Sequence, residues 1–243
     1  MIRGALYFLW LALSVIPYGT LILIVSIFVR GEPLYRFAVS YLTQMTVAGR
    51  VFGGIRHQVH GAENLPPAES MEPIIIAAKH QSTWETFALP TLMTHPLAYV
   101  FKKELLMIPF FGWAMGRLDM VHIDRSKRSE AWNKVAEQGA ELMKKGVWII
   151  MFPEGTRTER GKQGSYKHGA TRLAIATGAS ILPIAVTSAR CWPRKTFRMT
   201  PGLVDVSIGK PISPEGREPD EMMREVEAWI ESEMRRLDPE AYS

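Results

Sequence analysis

The chain has one cysteine, Cys191, in 243 residues. A single cysteine can neither close an internal disulfide nor build a cysteine-based zinc site, and no histidine stands near it in the sequence to make it a nucleophile. His57, His60, His95, His122 and His168 lack metal-ligand spacing such as H-E-x-x-H, so no metal site is expected. There is no G-x-S-x-G elbow, which leaves Ser82 without the setting of a hydrolase nucleophile. There is also no Walker loop. Gly155 to Gly161-Lys162 is one residue too long, and Gln163 stands where Ser or Thr belongs. An RNA-binding aromatic signature and a recognition-helix pattern are both missing, so nucleic acid is not an expected partner. Charged residues make up only 22% of the chain and hydrophobic ones 47%, which argues against disorder and supplies a full core. The length fits one sizeable domain plus an attachment. Twenty-nine basic residues against 24 acidic ones leave a net charge of +5, which suits an anionic surface or substrate.

The long gap in charge is at the N-terminus. Residues 5–29 carry none, and Arg3 and Arg30 bracket them. As a helix this stretch is about 37 Å long, enough to cross a hydrocarbon core and too long for a typical signal-peptide apolar region. Pro17 and Gly19 predict a kink or break near its middle. Two geometries follow: a bent spanning helix, which the length favours, or a helical hairpin dipping into one leaflet. Arg30, Arg36, Arg50 and Arg56 follow the segment, against Arg3 before it. This bias predicts that the rest of the chain is cytoplasmic, on an inner membrane. Residues 34–54 mix Arg with Leu, Phe, Tyr, Val and Met and read as a second, membrane-associated helix. The expected division is therefore residues 1–56 as membrane-associated helices and residues 57–243 as a second unit.

In that second unit, apolar runs and helical periods alternate. Strands are expected at 73–78, 97–101, 118–123, 147–152, 181–186 and 204–208. Helices are expected from His80 to before Pro90, at 129–145 with Ser129 as cap, at 166–177, and after Asp220. The last has Met223, Val226, Ile230, Met234 and Leu237 on one face. Alternation of this kind predicts an α/β sheet with helices on both faces.

Two polar knots follow two of the strands, where open α/β sheets place their sites. The first is His80-Gln81-Ser82-Thr83-Trp84-Glu85. Imidazole can take a proton near neutral pH, and a carboxylate on its other nitrogen fixes the tautomer and stabilises the imidazolium. Residues five apart do not share a helix face. The pair meets only if His80 lies in the turn before the helix and Glu85 within it; otherwise His80 is structural. The second knot is Phe152-Pro153-Glu154-Gly155-Thr156-Arg157. Thr156 and backbone N–H groups can donate to an anion and Arg157 offers a planar fork for phosphate, or the loop is a solvated turn. Arg125, Lys102 and Lys103 end neighbouring strands and either grip the same phosphate or form surface ion pairs.

At these residues the chain resembles the glycerolipid acyltransferases, specifically bacterial 1-acylglycerol-3-phosphate acyltransferases. Lys79-His80 through Glu85 stands where that family has N-H-x-x-x-x-D. Val121-His122-Ile123-Asp124-Arg125 resembles its second block, Phe152 through Arg157 its third, and Ile181 through Val186 its fourth. Lys102-Lys103-Glu104-Leu105 and Pro109-Phe110-Phe111-Gly112 resemble the stretch between the first two blocks. Lys79 for Asn and Glu85 for Asp are departures. The resemblance implies a mixed sheet flanked by helices with an N-terminal membrane anchor. It also implies acyl transfer from acyl carrier protein or coenzyme A to lysophosphatidic acid, yielding phosphatidic acid for phospholipid synthesis, with no cofactor. His80 would be the base and Glu85 its orienter. Arg125, Gly155, Thr156 and Arg157 would hold the acceptor phosphate and Glu154 would contact a glycerol hydroxyl or orient an arginine, with Lys102 and Lys103 as further candidates. Other readings are an acyltransferase for another lysolipid, such as a lyso-ornithine lipid, and a non-catalytic module that binds anionic membrane lipid.

Overall fold

The computed structural model describes residues 2–123 and 128–242, with the backbone alone for 128–131. Seven strands form one sheet: β1 (Ile55–His60), β2 (Ile74–Ala78), β3 (Leu97–Lys102), β4 (Val121–Ile123), β5 (Trp148–Met151), β6 (Ser180–Val186) and β7 (Gly202–Ile208), in the order β1-β7-β6-β2-β5-β3-β4. Strands β6, β2, β5, β3 and β4 run parallel, whereas β7 runs antiparallel to β6 and takes β1 with it. The α/β reading holds, as a mixed sheet. Strand β1 was not expected. It is an edge strand whose middle residues are exposed, so Ile-Arg-His-Gln-Val-His shows too little apolar alternation to announce itself.

Strand β2 is buried on both faces, as a central parallel strand must be. Ile74, Ile76 and Ala78 face one core, which also holds Tyr7, Tyr35 and Ala48 of the N-terminal helices and Trp84, Ala88 and Leu89. Ile75 and Ala77 face the other. There α5 (Arg128–Met143), α6 (Gly169–Thr177) and α7 (Pro219–Leu237) bring Val135, Leu173, Val226, Ile230 and Met234. The expected apolar face of the last helix is the one that packs.

Helix α3 (Trp84–Leu92) starts four residues after His80 and runs through Pro90, past its expected end. Proline at 90 removes the donor that would reach the carbonyl of residue 86. The Tyr99 hydroxyl donates to that Thr86 carbonyl instead, at 3.0 Å, and the helix completes its last turn. The expected Ser129 cap lies among residues whose side chains are outside the description.

The N-terminal apolar segment is one continuous helix, α1 (Ile2–Phe28), with Pro17 inside it and no break. In an apolar setting, one missing hydrogen bond is cheaper than several exposed peptide groups. Helix α2 (Glu32–Ala48), extended by a π-turn over Gly49–Gly53, returns alongside. The Ser14 and Tyr41 hydroxyls meet at 3.3 Å, and Tyr18 accepts from Gln44. The stripe of α1 that faces protein is made of Gly4, Tyr7, Ser14, Gly19, Ile22 and Ser26. Leu6, Leu9, Leu13, Ile16, Ile24 and Ile27 point outward. Glycine and serine thus take four of these six inward positions, beside Tyr7 and Ile22, while large apolar side chains cover the outer face, the pattern of a helix that faces lipid. Both halves of α1 touch the sheet domain. Phe8 packs edge-on against Phe197 with ring centroids 4.6 Å apart, Tyr7 against Trp192 at 5.2 Å, and Gly19 abuts Phe110, which leads into the short helix α4 (Phe111–Met115).

A Cβ at Gly4 would fall 1.6 Å from the Phe197 carbonyl oxygen, so this contact requires glycine. Gly4→Leu is expected to prise the start of α1 off the domain at a cost of about 1–3 kcal/mol. The measurement is thermal unfolding in detergent micelles, and an unchanged midpoint would show that α1 is not docked there.

Candidate active site

The parallel register sets Ala77 of β2 beside Met151 of β5, so the segments leaving these strands emerge side by side. The first carries His80 in a turn, and the second carries Phe152 to Arg157. The two segments bind one another through the His80 main chain. Its N–H donates to Glu154 Oε2 at 2.8 Å, and its carbonyl accepts the Thr158 N–H at 2.8 Å and the Thr158 hydroxyl at 3.2 Å. Its imidazole stacks on the Phe152 ring, centroids 3.9 Å apart and 14° from parallel. A histidine held this way has little freedom in backbone or ring.

Glu85 sits in the first turn of α3, fully buried. Its Oε1 accepts three hydrogen bonds: from His80 Nδ1 at 2.9 Å and from the backbone N–H groups of Gln81 and Ser82 at 2.7 Å each. A carboxylate can only accept, so Nδ1 carries the hydrogen and Nε2 presents its lone pair. The imidazole remains partly open, with 15% of its side chain exposed, and its Nε2 has no hydrogen-bond partner among the described residues. The turn-then-helix geometry required of residues five apart is the one that forms.

Arg157 reaches back over the same turn, and its Nη1 donates to Thr83 Oγ1 at 2.7 Å. Its backbone carbonyl accepts from the Arg194 guanidinium. The guanidinium is thereby tied to a residue three places along the chain from His80. Gly155 has φ of +67°, and a Cβ there would come within 3.0 Å of Lys167 Nζ, so a side chain would strain the loop. Thr156 is exposed at the loop's crest.

Glu154, expected to face the acceptor, faces inward instead. Its side chain is 1% exposed, with Oε1 on the Lys79 ammonium at 2.7 Å and Oε2 on the His80 N–H. Lys102 and Lys103 lie exposed at the end of β3, on the same sheet edge. Lys103 belongs nearer to β4: burial lowers the His122 pKa, and Lys134 and Lys103 push it down further. Arg125 lies outside the described residues. Sequence reading missed Phe152 and Thr158 as supports of His80, Thr83 as a support of Arg157, and the burial of Lys79. The order of the two knots signalled that they meet, but not which atoms pair.

A partly open histidine backed by a buried carboxylate, with an arginine fixed over the same turn at the carboxyl ends of two parallel strands, is equipped for base-assisted transfer onto a hydroxyl of an anionic acceptor. A family model described as Acyltransferase matches residues 56–187, and a 1-acyl-sn-glycerol-3-phosphate acyltransferase of Pseudomonas aeruginosa is 39% identical over 98% of this chain and 92% of its own. The chain belongs to the acyltransferase family and is an acyltransferase enzyme. The 1-acyl-sn-glycerol-3-phosphate acyltransferase alpha of Mus musculus is 29% identical, over 80% of this chain and 67% of its own. The crystal structure of the 1-acyl-sn-glycerophosphate (LPA) acyltransferase PlsC from Thermotoga maritima superposes with a TM-score of 0.81 at 25% identity, covering 97% of this chain and 95% of that one.

Three donors on one oxygen make the length of Glu85 critical. Glu85→Asp withdraws the carboxylate by one methylene and is expected to lower turnover by about 10-fold or more, by loosening the imidazole. Glu85→Gln keeps the reach and loses the charge, with an expected loss of at least about 10²-fold. Steady-state kinetics decide; full activity in Glu85→Asp would mean that the carboxylate does not hold the ring in the productive pose.

Proposed function

We propose that this protein is a 1-acylglycerol-3-phosphate O-acyltransferase. It takes a fatty acyl group from a thioester on acyl carrier protein or coenzyme A and places it on the free hydroxyl of lysophosphatidic acid, forming phosphatidic acid. The observation that carries the reading is His80, its Nδ1 occupied by Glu85 and its Nε2 without a partner among the described residues, beside an Arg157 fixed by Thr83. The names of the relatives support it.

In this mechanism Nε2 of His80 removes the acceptor hydroxyl proton as the oxygen attacks the thioester carbonyl carbon. A C–O bond forms, and Glu85 stabilises the imidazolium. As the tetrahedral intermediate collapses, the C–S bond breaks and the departing thiolate takes the proton from Nε2. Arg157, with Gly155 and Thr156 shaping the loop, holds the acceptor phosphate through charge-assisted hydrogen bonds. Arg125, Lys102 and Lys103 are further cations for the phosphate or for the donor. Holding two substrates in line is itself worth several kcal/mol.

We also infer that α1 anchors the enzyme along a membrane surface, its outer face in the acyl chains and the site on the cytoplasmic side of the inner membrane. It is the one helix among the described residues long and apolar enough to cross a bilayer, and length alone favours crossing. Packing favours the other geometry. The contacts at Gly4 and Gly19 lie about 22 Å apart along the helix, and both are with the same folded domain. A spanning helix would carry one of them away from the water-facing part of the protein. The arginines that follow α1 support a cytoplasmic placement.

Two measurements test these readings. His80→Ala is expected to cut turnover by at least about 10²-fold with the fold intact. Arg157→Ala is expected to raise the KM for lysophosphatidic acid roughly 10- to 150-fold, the loss of one charge-assisted contact. Near-normal kinetics in His80→Ala would remove the base. For the anchor, Ile2→Cys in inverted and right-side-out vesicles is expected to react with an impermeant maleimide only from the cytoplasmic side; labelling from the periplasmic side would establish a crossing helix.

A further inference from the structure

A lysine just past the end of a strand is ordinarily solvated. Lys79 is fully buried. Its ammonium donates to Glu154 Oε1 at 2.7 Å, to Glu231 Oε1 at 2.7 Å and to the Lys162 carbonyl at 3.3 Å, which uses all three of its hydrogens. The Tyr166 ring lies 5.8 Å from it, and the Tyr166 hydroxyl donates to the same Glu231 oxygen at 2.9 Å. Three parts of the fold meet here: the turn after β2, the connection from β5 to α6, and α7.

One buried ammonium needs one carboxylate, and this site has two, with side chains 1% and 3% exposed. They do different things. Glu231 contacts Lys79 and Tyr166. Glu154 meets Lys79 with one oxygen and the His80 N–H with the other. Burial pushes the Glu154 carboxyl pKa up, and the Lys79 charge and hydrogen bond oppose that push. The state and orientation of the group that grips the base's main chain therefore depend on a lysine that never reaches the cleft.

We propose that Lys79 is a positioning residue for His80: clamped by Glu231 of α7 from behind, it holds Glu154 so that Oε2 fixes the His80 main chain and aims Nε2 at the acceptor hydroxyl. The proposal rests on the reading of His80 as the base. It assigns Glu154 and Glu231 unequal weights in catalysis although both lie at the same distance from the ammonium. In Glu154→Gln the amide can accept from only one of its two donors. Either the Lys79 ammonium or the His80 N–H then faces an NH2 group. In Glu231→Gln the amide oxygen can still accept from Lys79 and from Tyr166.

The test is steady-state kinetics on full-length protein in mixed micelles, with thermal unfolding of the same samples and His80→Ala alongside. Glu154→Gln is expected to lose about 10- to 100-fold in kcat, with the acceptor KM within about threefold of the parent. Glu231→Gln is expected to stay within about threefold in both constants. Lys79→Met is expected to follow Glu154→Gln; if it does not fold, Glu154→Gln decides alone. The proposal is overturned if Glu154→Gln keeps its kcat, or if Glu154→Gln and Glu231→Gln lose activity equally and in step with their unfolding temperatures, since the cluster then only holds the fold. Activity in His80→Ala would instead overturn the base itself, and the two failures are read from different variants.

Discussion

Both main-chain polar groups of His80 are taken by the loop that follows a different strand, and the rest of the site depends on that pairing. A side chain on a strand-to-helix turn is only as well placed as the turn. Here the N–H is tied to Glu154 and the carbonyl to Thr158, so the turn after β2 and the loop after β5 behave as one body. The imidazole then needs only Glu85 on one side and Phe152 on its face to be fixed. Arg157 belongs to the same body through Thr83. The imidazole and the guanidinium share a frame, which is what catalysis by orientation requires. The frame exists because β2 and β5 are parallel neighbours. In an antiparallel pair the two loops would leave at opposite ends of the sheet.

The fold was legible wherever burial is two-sided or strongly periodic. Ile74-Ile75-Ile76-Ala77-Ala78 could hardly be anything but a central strand, and Met223, Val226, Ile230 and Met234 recur at helical spacing because one face of α7 is in the core. The edge strand β1 was not legible, because a strand with exposed positions needs no apolar alternation. Pro90 misled for a related reason. Its penalty is local, but the hydroxyl that offsets it belongs to Tyr99 in the next strand.

Within the site, the meeting of His80 with Glu85 could be deduced from five-residue spacing and a turn, since both residues are local. Lys79 could not be read that way. Its two carboxylates lie 75 and 152 residues further along the chain, and nothing about a single lysine announces that both will converge on it. Glu154 was misplaced for the same reason. A glutamate in a glycine-containing loop reads as solvated until its cation is found underneath. Polar residues that are satisfied from a distance carry no periodic signature, and they include most of what supports His80.

The close seat of α1 against Phe197 has a consequence for biosynthesis. Tyr7 and Phe8 pack on Trp192 and Phe197, which leave the ribosome roughly 190 residues later. At ordinary elongation rates that delay is roughly 10–40 s. During it, α1 has no domain to lie on and only α2 for company, through the Ser14–Tyr41 contact. An apolar helix cannot wait that long in water without aggregating. On the proposed anchoring of α1, the helical hairpin is expected to reach the bilayer while the rest of the chain is still being made, so that the sheet condenses onto a partner already in lipid. Delivery of the nascent chain to the membrane would then be a condition of folding, and a chain released into the cytosol would lack the surface on which its first core is completed.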